Sequence, residues 1–299
     1  MSNETVMLLL MRLLRQLPLT LRRGAFRALN ILVDVDARLA RHEREQYRYR
    51  DLNITVDLRD QLGRGMIADG FTETPFLRLA ERFCTARGGC FLDIGANLGN
   101  YSLALAPHFQ KTLAFEANPA TYELLSQNAR ANPQLRITPV AIGLSSEAGT
   151  LEFYPNDAGN SGASGFEKPR AGSTPVRLEV APGDAFAGQF EARVGAIKID
   201  VEGHELEVIR GLKTTIARDR PIIFMEWLTT TMQEKGGFEA LNALLPGYDL
   251  LVPCARTRRH PEGKTNAPRH RLNDLIALAP PYRDKYNLLF CVPRADHPE

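Results

Sequence analysis

The chain has few cysteines, almost no excess charge, no long apolar run and no dinucleotide-type glycine repeat, and each shortage removes a class of protein. Its four cysteines, Cys84, Cys90, Cys254 and Cys291, show no C-x-x-C spacing and sit in apolar segments. That argues against zinc ligation or a disulfide framework and for reduced, buried thiols in a cytoplasmic setting. Cys254 and Cys291 fall on two expected C-terminal strands, where they could be near neighbours. Lysine and arginine total 37 against 35 acidic residues, a net charge of +2. The chain as a whole therefore has no drive toward nucleic acid or an anionic membrane, and any basic surface is local. The apolar run at residues 7–11 is cut by Arg12 and falls far short of the roughly 20 residues that span a bilayer. No small-residue cleavage site follows it, so neither a transmembrane helix nor a secretory signal is expected there. There is one tryptophan, Trp227, and no internal repeat.

What is present is ordinary for a globular protein with a full core: 299 residues, 44% hydrophobic and 24% charged. Leucines interleaved with Arg12, Arg15, Arg22, Arg23, Arg27 and Arg38, broken at Pro18, read as two amphipathic helices. They define an N-terminal helical cap over residues 1–50, ahead of a single domain over residues 51–299. Two readings of the cap stay open. It packs on the domain or on a second subunit, making a homodimer, or it lies on the inner-membrane surface, as a lipid-linked acceptor would require.

Residues 52–58 alternate as a half-buried strand opening a small hairpin, and a turn-rich stretch at residues 69–73, a candidate part of a lid over the site, leads to a helix at 75–85. From Cys90 onward strand and helix alternate: strand to Asp93, helix 99–105, strand 112–115, helix 120–131, strand 136–141. Such alternation means a parallel sheet with crossover helices. Strands at 151–154 and 176–180 flank a loop at 155–175 rich in Gly, Ser, Asn and Pro, either a substrate-facing flap or surface decoration. A strand at 196–201, a helix at 203–209 stopped by Gly211, and a buried strand at 221–226 follow. Residues 248–253 and 286–292 are expected to close the sheet as an antiparallel pair. The basic linker between them, with Arg256, Arg258, Arg259, His260, Lys264, Arg269, His270 and Arg271, is a solvated loop or a seat for an anionic acceptor.

The most informative stretch is Asp93-Ile94-Gly95-Ala96-Asn97-Leu98-Gly99, coming straight off Cys90-Phe91-Leu92, with Glu116 placed 21 residues after Gly95. A strand ending in a tight glycine turn, followed by a second strand that delivers a carboxylate, is the pattern of a nucleotide-binding α/β fold in which the acid grips two ribose hydroxyls. Dinucleotide folds space their glycines as G-x-G-x-x-G to hold a pyrophosphate. Here the turn is D-x-G-x-x-x-G, and Asp93 suits a cation and repels a phosphate. S-adenosyl-L-methionine, with its sulfonium and amino group, is the better candidate, and an NAD-type oxidoreductase is the alternative.

The segments FLDIGANLGNYSLALA, LAFEANPATYELLSQNAR and AIKIDVEGHELEVIRGLK, in that order and spacing, resemble the FkbM family of S-adenosylmethionine-dependent methyltransferases. The resemblance runs from about residue 54 to 226. It implies a Rossmann-like class I methyltransferase fold, a mostly parallel seven-stranded sheet with helices on both faces. It also implies methylation of a hydroxyl on a small-molecule or glycolipid acceptor: a sugar, a glycolipid, a polysaccharide precursor or, alternatively, a non-carbohydrate secondary metabolite.

In open α/β sheets ligands bind beyond the carboxyl ends of the strands, where Asp93, Glu116, Asp200 and Glu226 are all expected. Asp93 and the turn carrying Gly95 and Gly99 would face the methionine portion of the cofactor, and Asn97 its amino-acid end. Glu116 would bind the ribose, with Asn118 beside it or merely starting the next helix. Ala141 and Ile142 would border the adenine. An alcohol needs its proton removed before it attacks a methyl group, and Asp200, Glu202 and His204 are the candidate bases: Asp200 by its place at a strand end, His204 by its titration range. Glu202 and Glu205 would also complement a helix N-terminus whatever the function. No dedicated metal motif is present, so no metal is assigned; a cation on Asp200, Glu202, His204 or Glu226 is the alternative means of acidifying the acceptor. Trp227 reads as core rather than a sugar-stacking platform, and a catalytically silent scaffold is the remaining option.

Overall fold

The structure, a computed structural model, describes residues 44–155, 164–165, 174–227, 229–257, 260–264, 273–278 and 288–294. The expected helical cap up to residue 43, most of the flap at 155–175 and most of the basic linker lie outside the described residues. Among the described residues no helix is long and apolar enough to cross a membrane.

The sheet is built around strands that read as unbroken apolar runs because both faces are covered. Strands β3 (Cys90–Ile94) and β9 (Val194–Ile199) are buried at every position. Beside β3 run β4 (Lys111–Phe115) and β5 (Ile137–Val140), beside β9 runs β10 (Ile222–Glu226), and all five are parallel. Beyond β10 the sheet turns antiparallel. The last strand, β14 (Leu288–Pro293), inserts between β10 and β11 (Tyr248–Thr257), so the expected closing pair is present. Outside it, β12 (His260–Lys264) and β13 (Asp274–Ala277) both pair with β11, giving nine strands rather than the expected seven. The two extra strands sit at the edge, where they leave the order β11-β14-β10-β9-β3-β4-β5 intact.

Side-chain alternation along β3 divides the core into two layers. Phe91 enters one, where it stacks with Phe109 and Phe224, and Phe224 in turn stacks with Phe290. Cys90, Leu92 and Ile94 enter the other, with Ile197, Ile223 and Trp227. Trp227 stacks on Phe238 with ring centres 4.8 Å apart, which confirms it as core. All four cysteines are free and buried, and burial pushes the Cys90 thiol up to about 12. Cys254 and Cys291 are not neighbours: Cys291 stands opposite Leu250, and Cys254 stands opposite Asp274 on β13.

Several boundaries differ from expectation. Residues 52–58 close the hairpin rather than open it: β1 (Arg44–Tyr49) pairs antiparallel with β2 (Leu52–Asp57), so the expected domain boundary at residue 50 falls at the hairpin tip. The cause is visible in R-E-Q-Y-R-Y, which buries Tyr47 and half-buries Tyr49 at period two. A helix the sequence reading missed, α1 (Gln61–Asp69), follows, then α2 (Thr74–Cys84). Gly63 and Gly65 weaken the helical signal of α1, yet a Cβ at Gly63 would lie 2.2 Å from the Asp57 carbonyl, so close packing on the hairpin demands glycine there. Helices α3 (Asn100–Leu105) and α4 (Pro119–Ala131) follow the first two core strands as expected. After β9 come α5 (Glu205–Gly211) and α6 (Lys213–Asp219), and after β10 come α7 (Thr229–Glu234) and α8 (Gly237–Leu244). Gly211 is the last residue of α5 rather than its stop, and a Cβ there would lie 2.0 Å from the Ser145 carbonyl. Strands β6 (Gly143–Leu144), β7 (Gly149–Phe153) and β8 (Val176–Ala181) form a separate small sheet in the order β6-β8-β7.

The hairpin is fastened by two asparagines four residues apart, Asn128 on α4 and Asn132 at its C-cap. Asn128 accepts from the Thr55 amide at 2.7 Å and donates to the Thr55 carbonyl at 3.0 Å and the Leu98 carbonyl at 2.9 Å. Asn132 treats Asn53 the same way, at 2.9 and 2.8 Å. A side-chain amide can accept and donate at once, so each satisfies both backbone groups of an edge residue, buried at Thr55 and part-buried at Asn53. Asn128→Ala strips three buried backbone groups of their partner and should lower unfolding free energy by about 3 kcal/mol. Urea denaturation would measure this, and a loss below about 0.5 kcal/mol would show that the clasp adds nothing net.

Candidate active site

Beyond the carboxyl ends of β3, β4, β9 and β10 lies a cavity of about 570 Å³. Gly95, Ala96, Asn97, Glu116, Asn118, Ile142, Asp200, Glu202 and Glu226 border it, together with Leu144, Phe153 and Ser164 from the small sheet and the flap. The expected residues are thus largely brought together. Four are not: Asp93, Gly99, Ala141 and His204 do not border the cavity.

Asp93 is fully buried, one residue short of the tip of β3. Its Oδ2 accepts from the Ser102 hydroxyl at 2.5 Å, and Lys198 Nζ lies 3.6 Å from its Oδ1. The carboxylate therefore sits against the first turn of α3, where the helix favours negative charge, and anchors that helix instead of facing the cavity. Burial raises its pKa, and Lys198 and Ser102 offset part of the rise. Gly99 precedes α3 in the left-handed region (φ 100°). Ala141 is exposed. The His204 ring nitrogen Nε2 lies 3.0 Å from the Ser145 hydroxyl, which ties the start of α5 to the end of β6.

In the turn over residues 95–99 every amide is spent inside the protein. The Gly95 and Ala96 amides donate to the Phe115 carbonyl at 3.0 and 2.9 Å, and the Gly99 amide to the Ala96 carbonyl at 2.9 Å. Asn97, itself left-handed (φ 52°), donates its amide to Glu116 Oε2 at 2.9 Å, while its Oδ1 accepts from the Leu98 amide at 2.7 Å. Gly95 is required by packing: at φ +71° a Cβ would lie 1.9 Å from the Asp200 carbonyl, where the end of β9 passes. Glu116 is held on both oxygens, Oε2 by Asn97 and Oε1 by the Asn118 amide at 2.8 Å. Each oxygen keeps further accepting capacity. Burial raises the Glu116 pKa against the pull of those two amides. Asn118 also caps α4, its Oδ1 accepting from the Ala120 amide at 3.1 Å.

Lys198, which sequence reading passed over, is the centre of the floor. It is buried, stands directly opposite Asp93 across β3 and β9, and donates to the Gly95 carbonyl at 2.8 Å. Its ammonium is 3.3 Å from Asp200 Oδ2 and 5.3 Å from the centre of the Tyr101 ring. Burial works against its charge, and Asp200 and Asp93 more than offset that, so its pKa lies above the ordinary lysine value. Tyr101 in turn donates to Glu73 Oε2 at 3.0 Å. A lysine inside the apolar run Ala-Ile-Lys-Ile was the signal available for this site.

Asp200, Glu202 and Glu226 each place one carboxylate oxygen within 4.8 Å of the others, and among the described residues this is the group of acids near enough to share a cation or a proton. Burial, then the charges of Asp200 and Glu202, push Glu226 up to about 9. Next to them Glu205 is fully buried, its Oε1 accepting from the Gly203 and Val201 amides at 3.1 and 3.3 Å, and burial pushes it up to about 7. It shapes the loop that presents Glu202.

The strand order and the position of the cavity define a Rossmann-like class I methyltransferase fold. A family model described as the methyltransferase FkbM domain matches residues 93–250, more than half of the chain, which therefore belongs to that family. Hexuronic acid methyltransferase AglP of Haloferax volcanii is 30% identical over 125 residues, covering 42% of this chain and 50% of that one. Methyltransferase sdnD of Sordaria araneosa is 32% identical over 153 residues, covering 40% and 59%. The chain spans half to three-fifths of the length of these curated relatives. Among solved structures, an FkbM methyltransferase from Methylobacillus flagellatus KT aligns at a TM-score of 0.45 and 15% identity, covering 69% of this chain and 44% of that one.

An acid whose pKa is raised by folding binds its proton more tightly in the native state. Its contribution is complete below its unfolded value of 4.5 and is lost as pH rises through the folded value of about 7. For Glu205 this amounts to a stability loss on the order of 3 kcal/mol between those limits. Glu205→Gln keeps the accepting oxygen and removes the ionisation, so unfolding free energy measured from pH 4.5 to 7.5 should become flatter. A slope unchanged by the substitution would rule Glu205 out as its source.

Proposed function

We propose that this chain is an S-adenosylmethionine-dependent O-methyltransferase that acts on a hydroxyl of a sugar-type acceptor. The observation that carries this reading is the turn over residues 95–99, in which no amide is left to hold a phosphate. Asp93 already occupies the start of α3, where a dinucleotide fold would put a pyrophosphate. The surrounding acids Asp200, Glu202, Glu226 and Glu73 disfavour an anion and suit a cationic donor.

When bound, S-adenosylmethionine supplies an electrophilic methyl group to an acceptor oxygen. Glu116, fixed by two backbone amides, offers its remaining accepting positions to the two ribose hydroxyls. Ile142, Leu144 and Phe153 offer apolar surface to a purine. Asp200, at the tip of β9 beside the Lys198 ammonium, is the base that takes the acceptor's proton, and Glu202 borders the same space. His204 is a positioning residue through Ser145. The carbohydrate character of the acceptor is supported by the similarity to a hexuronic acid methyltransferase.

Glu116→Ala should weaken S-adenosylhomocysteine binding by at least about 100-fold in calorimetry, since two charge-assisted hydrogen bonds disappear. Unchanged affinity would refute the ribose assignment. Incubation with methyl-labelled donor and fractionated host glycolipids, polysaccharide precursors and small metabolites is expected to label a carbohydrate-bearing fraction. Label confined to carbohydrate-free metabolites would overturn the acceptor class.

A further inference from the structure

We infer that Asp69 and Thr72, on the cavity wall formed by the end of α1 and the turn after it, are the subsite for the α-ammonium group of the methyl donor. This rests on the donor reading above and deepens it. Gln61, Leu62, Gly65, Asp69 and Thr72 all border the cavity, although they precede the nucleotide-binding core in the chain. Asp69 Oδ1 and Thr72 Oγ1 are both screened from solvent and have no hydrogen-bond partner among the described residues. Unmatched buried polar atoms are costly, and a carboxylate oxygen and a hydroxyl oxygen on one wall of a ligand cavity can both accept from a single donor group.

The chemistry of that donor follows from its surroundings. An ammonium group brings three N–H donors and no acceptor, which matches a carboxylate and a hydroxyl oxygen together. The last turn of α1 carries no basic residue, so its negative helix end also favours a cation. The wall is pinned to the nucleotide turn: the Thr72 amide donates to Asn100 Oδ1 at 3.0 Å, and Asn100 Nδ2 donates to the Thr72 carbonyl at 3.4 Å. Asn100 follows Gly99 directly, so this wall lies beside the methionine end of the proposed seat rather than the adenine end.

Most of the other acids bordering the cavity or its floor are engaged elsewhere, Glu73 by the Tyr101 hydroxyl. Asp93 serves Ser102 and Lys198, Asp200 serves Lys198, and Glu116 holds two amides. Glu226 Oε2 also lacks a partner, but burial, and then the charges of Asp200 and Glu202, push that carboxyl up to about 9, which removes the charge an ammonium needs at neutral pH. Glu202 stands with Asp200 and Glu226, so Asp69 is the acid that shares a wall with Thr72.

Two ligands separate this subsite from the rest of the cavity. S-adenosylhomocysteine carries the amino-acid end, whereas 5′-methylthioadenosine keeps the nucleoside and the thioether and lacks it. In calorimetry on the full chain, Asp69→Asn should weaken S-adenosylhomocysteine by at least about tenfold and leave 5′-methylthioadenosine within about twofold, as expected for one charge-assisted contact. Thr72→Val should show the same selectivity with a smaller loss. Unaltered S-adenosylhomocysteine affinity in both variants, or an equal loss for both ligands, would overturn the subsite. Failure of the wild-type chain to bind S-adenosylhomocysteine would instead overturn the donor reading, and the subsite with it.

Discussion

A single buried ammonium organises the floor of the cavity. Lys198 cannot carry its charge among β3, β9 and α3 without partners, because transfer of an unpaired cation out of water costs many kcal/mol. Its partners are Asp93, Asp200, the Gly95 carbonyl and the face of Tyr101. These belong to two neighbouring strand ends, the nucleotide turn and the helix that follows it, so neutralising one charge fixes their relative positions. Removing one member of such a set generally costs about 3–5 kcal/mol by stranding the remainder. The geometry of the turn, and through Asn97 the seating of Glu116, is therefore tied to a residue that need not touch any ligand.

This arrangement also explains why the signature stretch was legible and yet partly misread. Asp93-Ile-Gly-Ala-Asn and Glu116 are local features: an acid at a strand end, a left-handed turn, and a second acid about twenty residues on show in the sequence because the chain builds them from contiguous residues. Their partners are not contiguous. Whether Asp93 faces a ligand or a helix depends on Lys198 standing opposite it, and strand register is invisible until the sheet is assembled. Gly95 reads as a ligand cradle, but it is the carbonyl of Asp200, more than a hundred residues later, that leaves no room for a side chain. The alternating core strands were readable for the opposite reason: burial on both faces writes itself as an apolar run.

The segments that were not readable share a cause. α1 contains two glycines and packs on a hairpin whose edge is held by Asn128 of α4 and Asn132 at that helix's C-cap. Local propensity argues against that helix, and tertiary packing overrides it. The part of the cavity wall that α1 itself supplies has no sequence signal of its own, whereas the turn at residues 69–73 and the loop carrying Ser164 do read as segments beside the site, and both border the cavity.

Charge is unevenly distributed around the cavity. Glu73, Asp69, Glu116, Asp200, Glu202 and Glu226 border one space, and the lysine among them is committed to the floor. An excess of acids in a partly enclosed space raises the free energy of any phosphate that enters and lowers that of a cation, and low-dielectric walls strengthen both effects. The same excess is not fully ionised: burial first, and then the charges of neighbouring acids, push Glu226 up to about 9 and Glu205, buried behind it, up to about 7. A cationic ligand would reduce that repulsion, so binding and deprotonation at this edge are thermodynamically linked: the more negative the cluster, the tighter the cation is held, and the cation in turn draws the protons off. An acidic edge of this kind favours a cationic ligand over an anionic one.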